Sequence, residues 1–216
     1  MLDFFDRKVC LTADQSEWAK ADAEFNRIGL NDVQRFNAIP HIGPHQSFNA
    51  STRQILIEFF ESSNERLLFM EDDCVFKGHD HVEQALNELP VDWDIVYLGC
   101  NIQDEKPVKI SDNLFKIQGA YTTHCIGYNK KCIPFILENQ PGFSECMYDN
   151  WLSANLTRLN SYVINPMAAW QRPRHSKIWD CQVNYDEHFI ASQMRLITAP
   201  SFIEGGIVKG NPIDNL

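Results

Sequence analysis

Leu67-Leu68-Phe69-Met70-Glu71-Asp72-Asp73-Cys74-Val75-Phe76 is the stretch that decides how this chain folds. An apolar run suited to a buried strand stops at three consecutive carboxylates, side chains that are rarely buried unless they are paired or hold a metal. In extended backbone Glu71 and Asp73 project to one face and Asp72 to the other. Two acids on one face repel and raise each other's pKa unless a cation neutralises them, and hard cations such as Mg²⁺ or Mn²⁺ choose oxygen ligands. A solvated acidic turn would be written with the same letters. The apolar run before the triplet instead places it at the carboxyl end of a core strand, where open α/β sheets bind ligands.

Upstream, Lys8 to Leu11 reads as a strand, and Trp18, Ala21, Phe25 and Ile28 recur at helical spacing until Gly29. Val33 to Ala38 supplies a second strand. Ile39 to Asn49, with two prolines, Gly43, His41 and His45, reads as an irregular loop; its two histidines are candidate metal ligands, but solvated loop histidines are the commoner case. A buried helix is expected over Gln54 to Phe60, with Asn49 or Ser51 as its N-cap. Downstream, Val82, Ala85, Leu86 and Leu89 mark another helix, with His79 and His81 in the loop before it. Asp94 to Asn101 is a strand whose Gly99 permits close backbone approach. Gln103 to Asp112 reads as a loop or edge hairpin. Leu114 to Ile117, Gly119 to Tyr128 and Asn160 to Pro166 are further strands. A helix opens at Asn129 and tolerates Pro134 in its first turn. Tyr148 to Leu156 is a helix for which Asp149 would serve as N-cap. Alternating strands and helices of this kind predict an α/β fold with a mixed, mostly parallel central sheet flanked by helices.

The chain has 216 residues, 44% of them hydrophobic, enough for one domain with a sizeable core. A formal net charge of -10 argues against a broad nucleic-acid or anionic-membrane surface. No apolar run approaches the roughly 20 residues that cross a bilayer, and MLDFFDRKVCL lacks the order of a signal peptide, so a cytoplasmic protein is expected. Seven scattered cysteines without a CxxC pair fit reduced thiols. Against the acidic background, Ala168 to Ile178 is basic: Arg172, Arg174, His175 and Lys177 cluster there. Arginine forks and a lysine point charge suit a diphosphate, although Arg172 and Arg174 pairing with surface acids would explain them equally well.

Taken in order, these pieces resemble glycosyltransferase family 25, which includes lipopolysaccharide-modifying sugar transferases and collagen galactosyltransferases. Val9-Cys10-Leu11 with the helix after it, Arg35-Phe36-Asn37-Ala38, the acidic motif within Leu67 to Val75, and Asp94 to Leu98 with Gly119-Ala120-Tyr121 carry the likeness. Tyr148-Asp149-Asn150-Trp151-Leu152, Trp170-Gln171-Arg172 and Ser176-Lys177-Ile178 complete it. The terminal signature usually reads Ser-Asp-Ile, so Lys177 replaces an acid, and Ser51-Thr52 stands where the family tends to carry Ser-His.

The resemblance implies a GT-A, Rossmann-like nucleotide-diphospho-sugar transferase domain over residues 1–178, with residues 179–216 as a C-terminal extension packed on it. It also implies a metal-dependent glycosyltransferase that moves a sugar from a nucleotide-sugar donor, UDP-sugar favoured, to a glycan or other hydroxyl acceptor with inversion. Asp73 would bind Mn²⁺ or Mg²⁺, Glu71 the metal or the ribose, and His175 would be a third protein ligand. Arg172, Arg174 and Lys177 would hold the diphosphate, and Thr12 would line the nucleobase pocket. Asp149 is the candidate general base, with Asp72 its rival; Asp72 alternatively turns to the core and is satisfied by backbone donors. Two other readings remain: a metal-dependent phosphodiesterase or nucleotide-sugar hydrolase, and a non-catalytic nucleotide- or sugar-binding module, which the Lys177 departure would favour.

Overall fold

A computed structural model describes residues 2–103, 107–141, 146–176 and 180–199. Leu67, Leu68, Phe69 and Met70 lie fully buried in β3 (Arg66–Glu71). Alternate side chains serve opposite cores: Leu67 and Phe69 join Val9, Ile55 and Phe59, whereas Leu68 and Met70 join Cys10, Phe25 and Leu86. A strand covered on both faces needs apolar side chains at every position, hence the continuous run.

β3 is central to an eight-stranded sheet. On one side it pairs in parallel with β1 (Arg7–Thr12), which pairs in parallel with β2 (Gln34–Asn37). On the other side β10 (Cys125–Asn129) runs antiparallel to it and to β5 (Ile95–Tyr97). β11 (Ser161–Ile164) is parallel to β5, and β8 (Leu114–Lys116) and then the edge strand β7 (Val108–Lys109) follow, each antiparallel to its neighbour. The sheet is therefore mixed: of its strands only β10 and β8 run against β3. Outside it, β4 (Cys74–Phe76) pairs with β12 (Ala169–Gln171), β6 (Asn101–Ile102) with β9 (Ala120–Tyr121), and β13 (Arg174–Ser176) with β14 (Cys181–Val183).

α1 (Gln15–Arg27) and α3 (Val82–Asn87) cover one sheet face through Ala21, Phe25, Val82 and Leu86. The Asp14 side chain caps α1, and Gly29 follows the helix end at φ 75°. α2 (Pro44–Glu61), α4 (Ile133–Asn139), α5 (Tyr148–Asn155) and α6 (Asp186–Thr198) cover the other face. From α6, Phe189 and Leu196 enter the core. No helix among the described residues is long and apolar enough to cross a membrane.

Three local expectations change. α2 begins at Pro44, inside the expected loop, after Gly43 as N-cap; proline suits a first helical turn, where its missing N–H costs nothing. Ser51 is consequently a buried mid-helix residue that accepts from the Ile39 amide at 2.8 Å, not a cap. The expected strand Gly119 to Tyr128 breaks between β9 and β10, with Thr122 at φ 68°. Asp149 sits within the first turn of α5, whose N-cap is Met147.

Candidate active site

Leu11 pairs with Glu71 and Met70 with Cys125, so β1 and β3 end, and the reversed β10 begins, at one edge of the sheet. Thr12, the acidic triplet and Thr123 therefore converge. Glu71 closes β3, and its Oε1 accepts from Thr123 Oγ1 at 3.0 Å. Asp72 and Asp73 form the turn into β4, and the alternation of faces survives that turn. Glu71 and Asp73 line a cavity of about 270 Å³, while Asp72 lies behind its wall.

Asp72 is fully engaged. Its Oδ2 accepts from Thr12 Oγ1 at 2.8 Å and the Ala13 amide at 3.2 Å, and its Oδ1 meets Arg174 Nη1 at 2.5 Å. Asp73 Oδ2 accepts from Arg174 Nε at 3.0 Å and Gln171 Nε2 at 3.3 Å, whereas its buried Oδ1 has no protein partner. Arg174 thus bridges two carboxylates. Burial, then Asp73, drives the Glu71 carboxyl well above its usual range, with Arg174 opposing. Burial also raises Asp73; Arg174 pulls it back and Asp72 pushes it up.

Asp149 lines the same cavity from the start of α5. Burial raises its pKa, and the backbone N–H groups of Asn150, at 2.8 Å, and of Thr122 favour its charged form. Glu71, Asp73, Arg174 and Asp149 are thus the predicted residues that the fold brings together.

The other described candidates lie outside the cavity lining. Thr12 is buried and its hydroxyl anchors Asp72, so it does not line the cavity. Arg172 pairs with Glu17 at 2.7 Å and donates to the Asp72 carbonyl at 3.2 Å, which makes it a clamp outside the cavity lining. His175 is not brought to the acids: alternation along β13 sends Arg174 and Ser176 to the cavity and His175 to the opposite face, half-exposed and 3.6 Å from Asp180. Lys177 lies outside the described residues. Gln171, Thr122 and Thr123 line the cavity without having been singled out for chemistry. Gln171 carried a signal in being a polar residue within the Trp170-Gln171-Arg172 signature.

Among the described residues no group of three or more His, Cys, Asp or Glu is arranged to hold a metal ion. Mg²⁺ and similar ions are nevertheless commonly held by one or two carboxylates, with phosphate oxygens and waters completing the shell. Glu71, Asp73 and the unpaired Asp73 Oδ1 fit that donor set.

No family model matches this chain, and no curated protein matches it. Among solved structures, A197 from STIV shares 14% identity at a TM-score of 0.50, over 78% of this chain and 86% of that one. UDP-glucose pyrophosphorylase complexed with UDP-glucose shares 9% identity at 0.45, over 88% of this chain and 96% of that one. A glycosyltransferase involved in glycosylation of the major capsid of PBCV-1 shares 10% at 0.43, over 74% and 83%. The likeness to the STIV protein is one of fold.

Proposed function

We propose that this protein is a glycosyltransferase that moves a sugar from a nucleotide-diphosphate donor, UDP-sugar favoured, to a hydroxyl acceptor with inversion. One observation carries this reading: Glu71, Asp73 and Arg174 share a cavity with a third, separately positioned acid, Asp149. Arg174 suits a charged leaving group directly, Glu71 and Asp73 suit the cation that would neutralise it, and Asp149 suits proton abstraction. The sequence resemblance to glycosyltransferase family 25 supports the same assignment, and five buried free cysteines among the described residues suit a reducing, cytoplasmic setting.

Glu71 and Asp73 would hold Mn²⁺ or Mg²⁺, which when bound supplies positive charge against the departing diphosphate. Arg174 faces the same cavity and adds a fixed guanidinium for the phosphate oxygens. Asp149 accepts the proton of the acceptor hydroxyl as that oxygen bonds to the anomeric carbon and the bond to the diphosphate breaks. Asp72, held by Thr12, Ala13 and Arg174, orients Arg174 rather than meeting the acceptor.

Calorimetry with UDP- and GDP-sugars, with and without Mn²⁺, tests the reading. Binding of a UDP-sugar that strengthens with Mn²⁺ is expected. Absence of binding across the panel would overturn it.

A further inference from the structure

Gln171 is only 8% exposed, yet it lines the cavity. Its position is set by main chain: β12 pairs with β4 so that Gln171 lies opposite Cys74, and the Arg172 amide donates to the Asp73 carbonyl at 2.7 Å. The Gln171 Nε2 is used on Asp73 Oδ2, which leaves Gln171 Oε1 buried without a protein partner. Asp73 Oδ1 is in the same condition.

Two neighbouring residues thus each bury an unpaired acceptor, and such groups cost about 1–3 kcal/mol apiece when left unmatched. Turning the Gln171 amide over brings no relief, because its oxygen would then face the Asp73 Oδ2 acceptor. A water molecule could donate to both oxygens but would leave the repulsion between Glu71 and Asp73 in place. A cation satisfies the acceptors and the repulsion together, and hard divalent ions accept Gln carbonyl oxygens alongside carboxylates. We propose that Gln171 supplies its side-chain oxygen as a third protein ligand to a divalent cation held by Glu71 and Asp73. This inference rests on the metal-assisted reading of the site given above.

Mn²⁺ alone is the probe, titrated into the full chain without nucleotide and followed by the loss of the free-ion electron paramagnetic resonance signal. Gln171→Met keeps the length and burial but removes the oxygen, and its Mn²⁺ affinity should fall about tenfold or more. Gln171→Glu exchanges carbonyl for carboxylate and should bind Mn²⁺ more tightly than the wild type at pH 8.5. It keeps the inference testable if Gln171→Met does not fold. Wild-type affinity in a folded Gln171→Met, or no tightening in Gln171→Glu, would overturn the role of Gln171 while leaving Glu71 and Asp73 in place. A Gln171→Met chain that keeps its Mn²⁺ affinity but loses nucleotide affinity would also overturn it, since the oxygen would then serve a ligand hydroxyl. No Mn²⁺ binding by the wild type would remove the metal-assisted reading and this inference together.

Discussion

The guanidinium of Arg174 lies against the carboxylate of Asp73, with Nε 3.0 Å from Oδ2, while its Nη1 reaches Asp72. One arginine therefore holds two consecutive acids whose side chains point to different faces. Removing one partner of a buried ion pair leaves an uncompensated charge and costs about 3–5 kcal/mol. Because Arg174 is 31% exposed, the lower end of that range applies. Arg174→Ala should lose about 3 kcal/mol in urea denaturation at neutral pH. Arg174→Lys should recover only part, since a point charge does not reproduce the fork. As pH falls and the acids protonate, the penalty should shrink; a loss independent of pH would show that packing, not charge, dominates.

The acids of the triplet should answer unequally to mutation. Asp73→Ala removes the oxygen assigned to the cation and should abolish the Mn²⁺-dependent part of nucleotide-sugar affinity in calorimetry. Asp72→Ala leaves the Ala13 amide without its acceptor and Arg174 with Asp73 alone, so its main effect should be a loss of stability of about 1–3 kcal/mol. Equal loss of Mn²⁺-dependent binding in both variants would contradict this division.

Asp149→Asn keeps shape and burial but cannot take a proton. Turnover should fall about 10²–10⁴-fold with donor affinity unchanged. In the wild type, burial lifts the Asp149 pKa, so the ionised, proton-accepting form appears at higher pH than for an exposed aspartate. The rate constant kcat should accordingly rise with pH through a range above the ordinary carboxylate one. Full turnover in Asp149→Asn would remove it from the mechanism.

What was legible in the sequence was local. Leu67 to Met70 announce a strand buried on both faces, and simple alternation already separates Glu71 and Asp73 from Asp72. The same alternation would have separated Arg174 from His175, but β13 and its partner β14 are three-residue strands, β13 in a basic stretch after Pro173 and β14 among polar residues, with no apolar period to reveal them. The insertion of β10, reversed, between β3 and β5 depends on pairing between residues distant in the chain, which periodicity does not encode. The early start of α2 was obscured by His45, Gln46 and Asn49, polar residues without a helical apolar pattern, although Gly43-Pro44 is a sound helix-start signal. Arg172 and Arg174 look alike in sequence; only the fold assigns one to Glu17 and the other to the cavity.

His124 offers a separate readout of the floor beneath the site. Its backbone carbonyl accepts from the Glu71 amide at 3.0 Å, and its ring lies edge-on to Phe189. Burial lowers its pKa from 6.5 to about 4, against a raising influence from the Ala169 backbone. Between those values the unfolded chain binds a proton that the folded chain refuses, so this residue's contribution is complete above pH 6.5 and is lost as pH falls towards 4. The loss is on the order of 3 kcal/mol. His124→Phe should flatten that part of the stability profile relative to the wild type, measured by urea denaturation from pH 7 to pH 4. Parallel profiles would show that His124 is protonated in the folded protein.

Gly99 couples the sheet to the cavity. A Cβ on Gly99 would collide with the Ala169 backbone carbonyl, and the Ala168 and Ala169 amides both donate to the Leu98 carbonyl, at 2.8 and 3.0 Å. The contact is backbone against backbone, so no side-chain rotamer can relieve it; β12, two residues short of Gln171 at this point, must move instead. Gly99→Ala should therefore destabilise by about 1–3 kcal/mol. It should also weaken Mn²⁺ and nucleotide binding without altering any residue that lines the cavity. Gly78, which has open space around its missing Cβ and lies away from the cavity, supplies the control: Gly78→Ala should cost stability through its φ of 81° but leave binding intact. If Gly99→Ala lost stability while keeping wild-type affinity, the position of β12 would not govern the site.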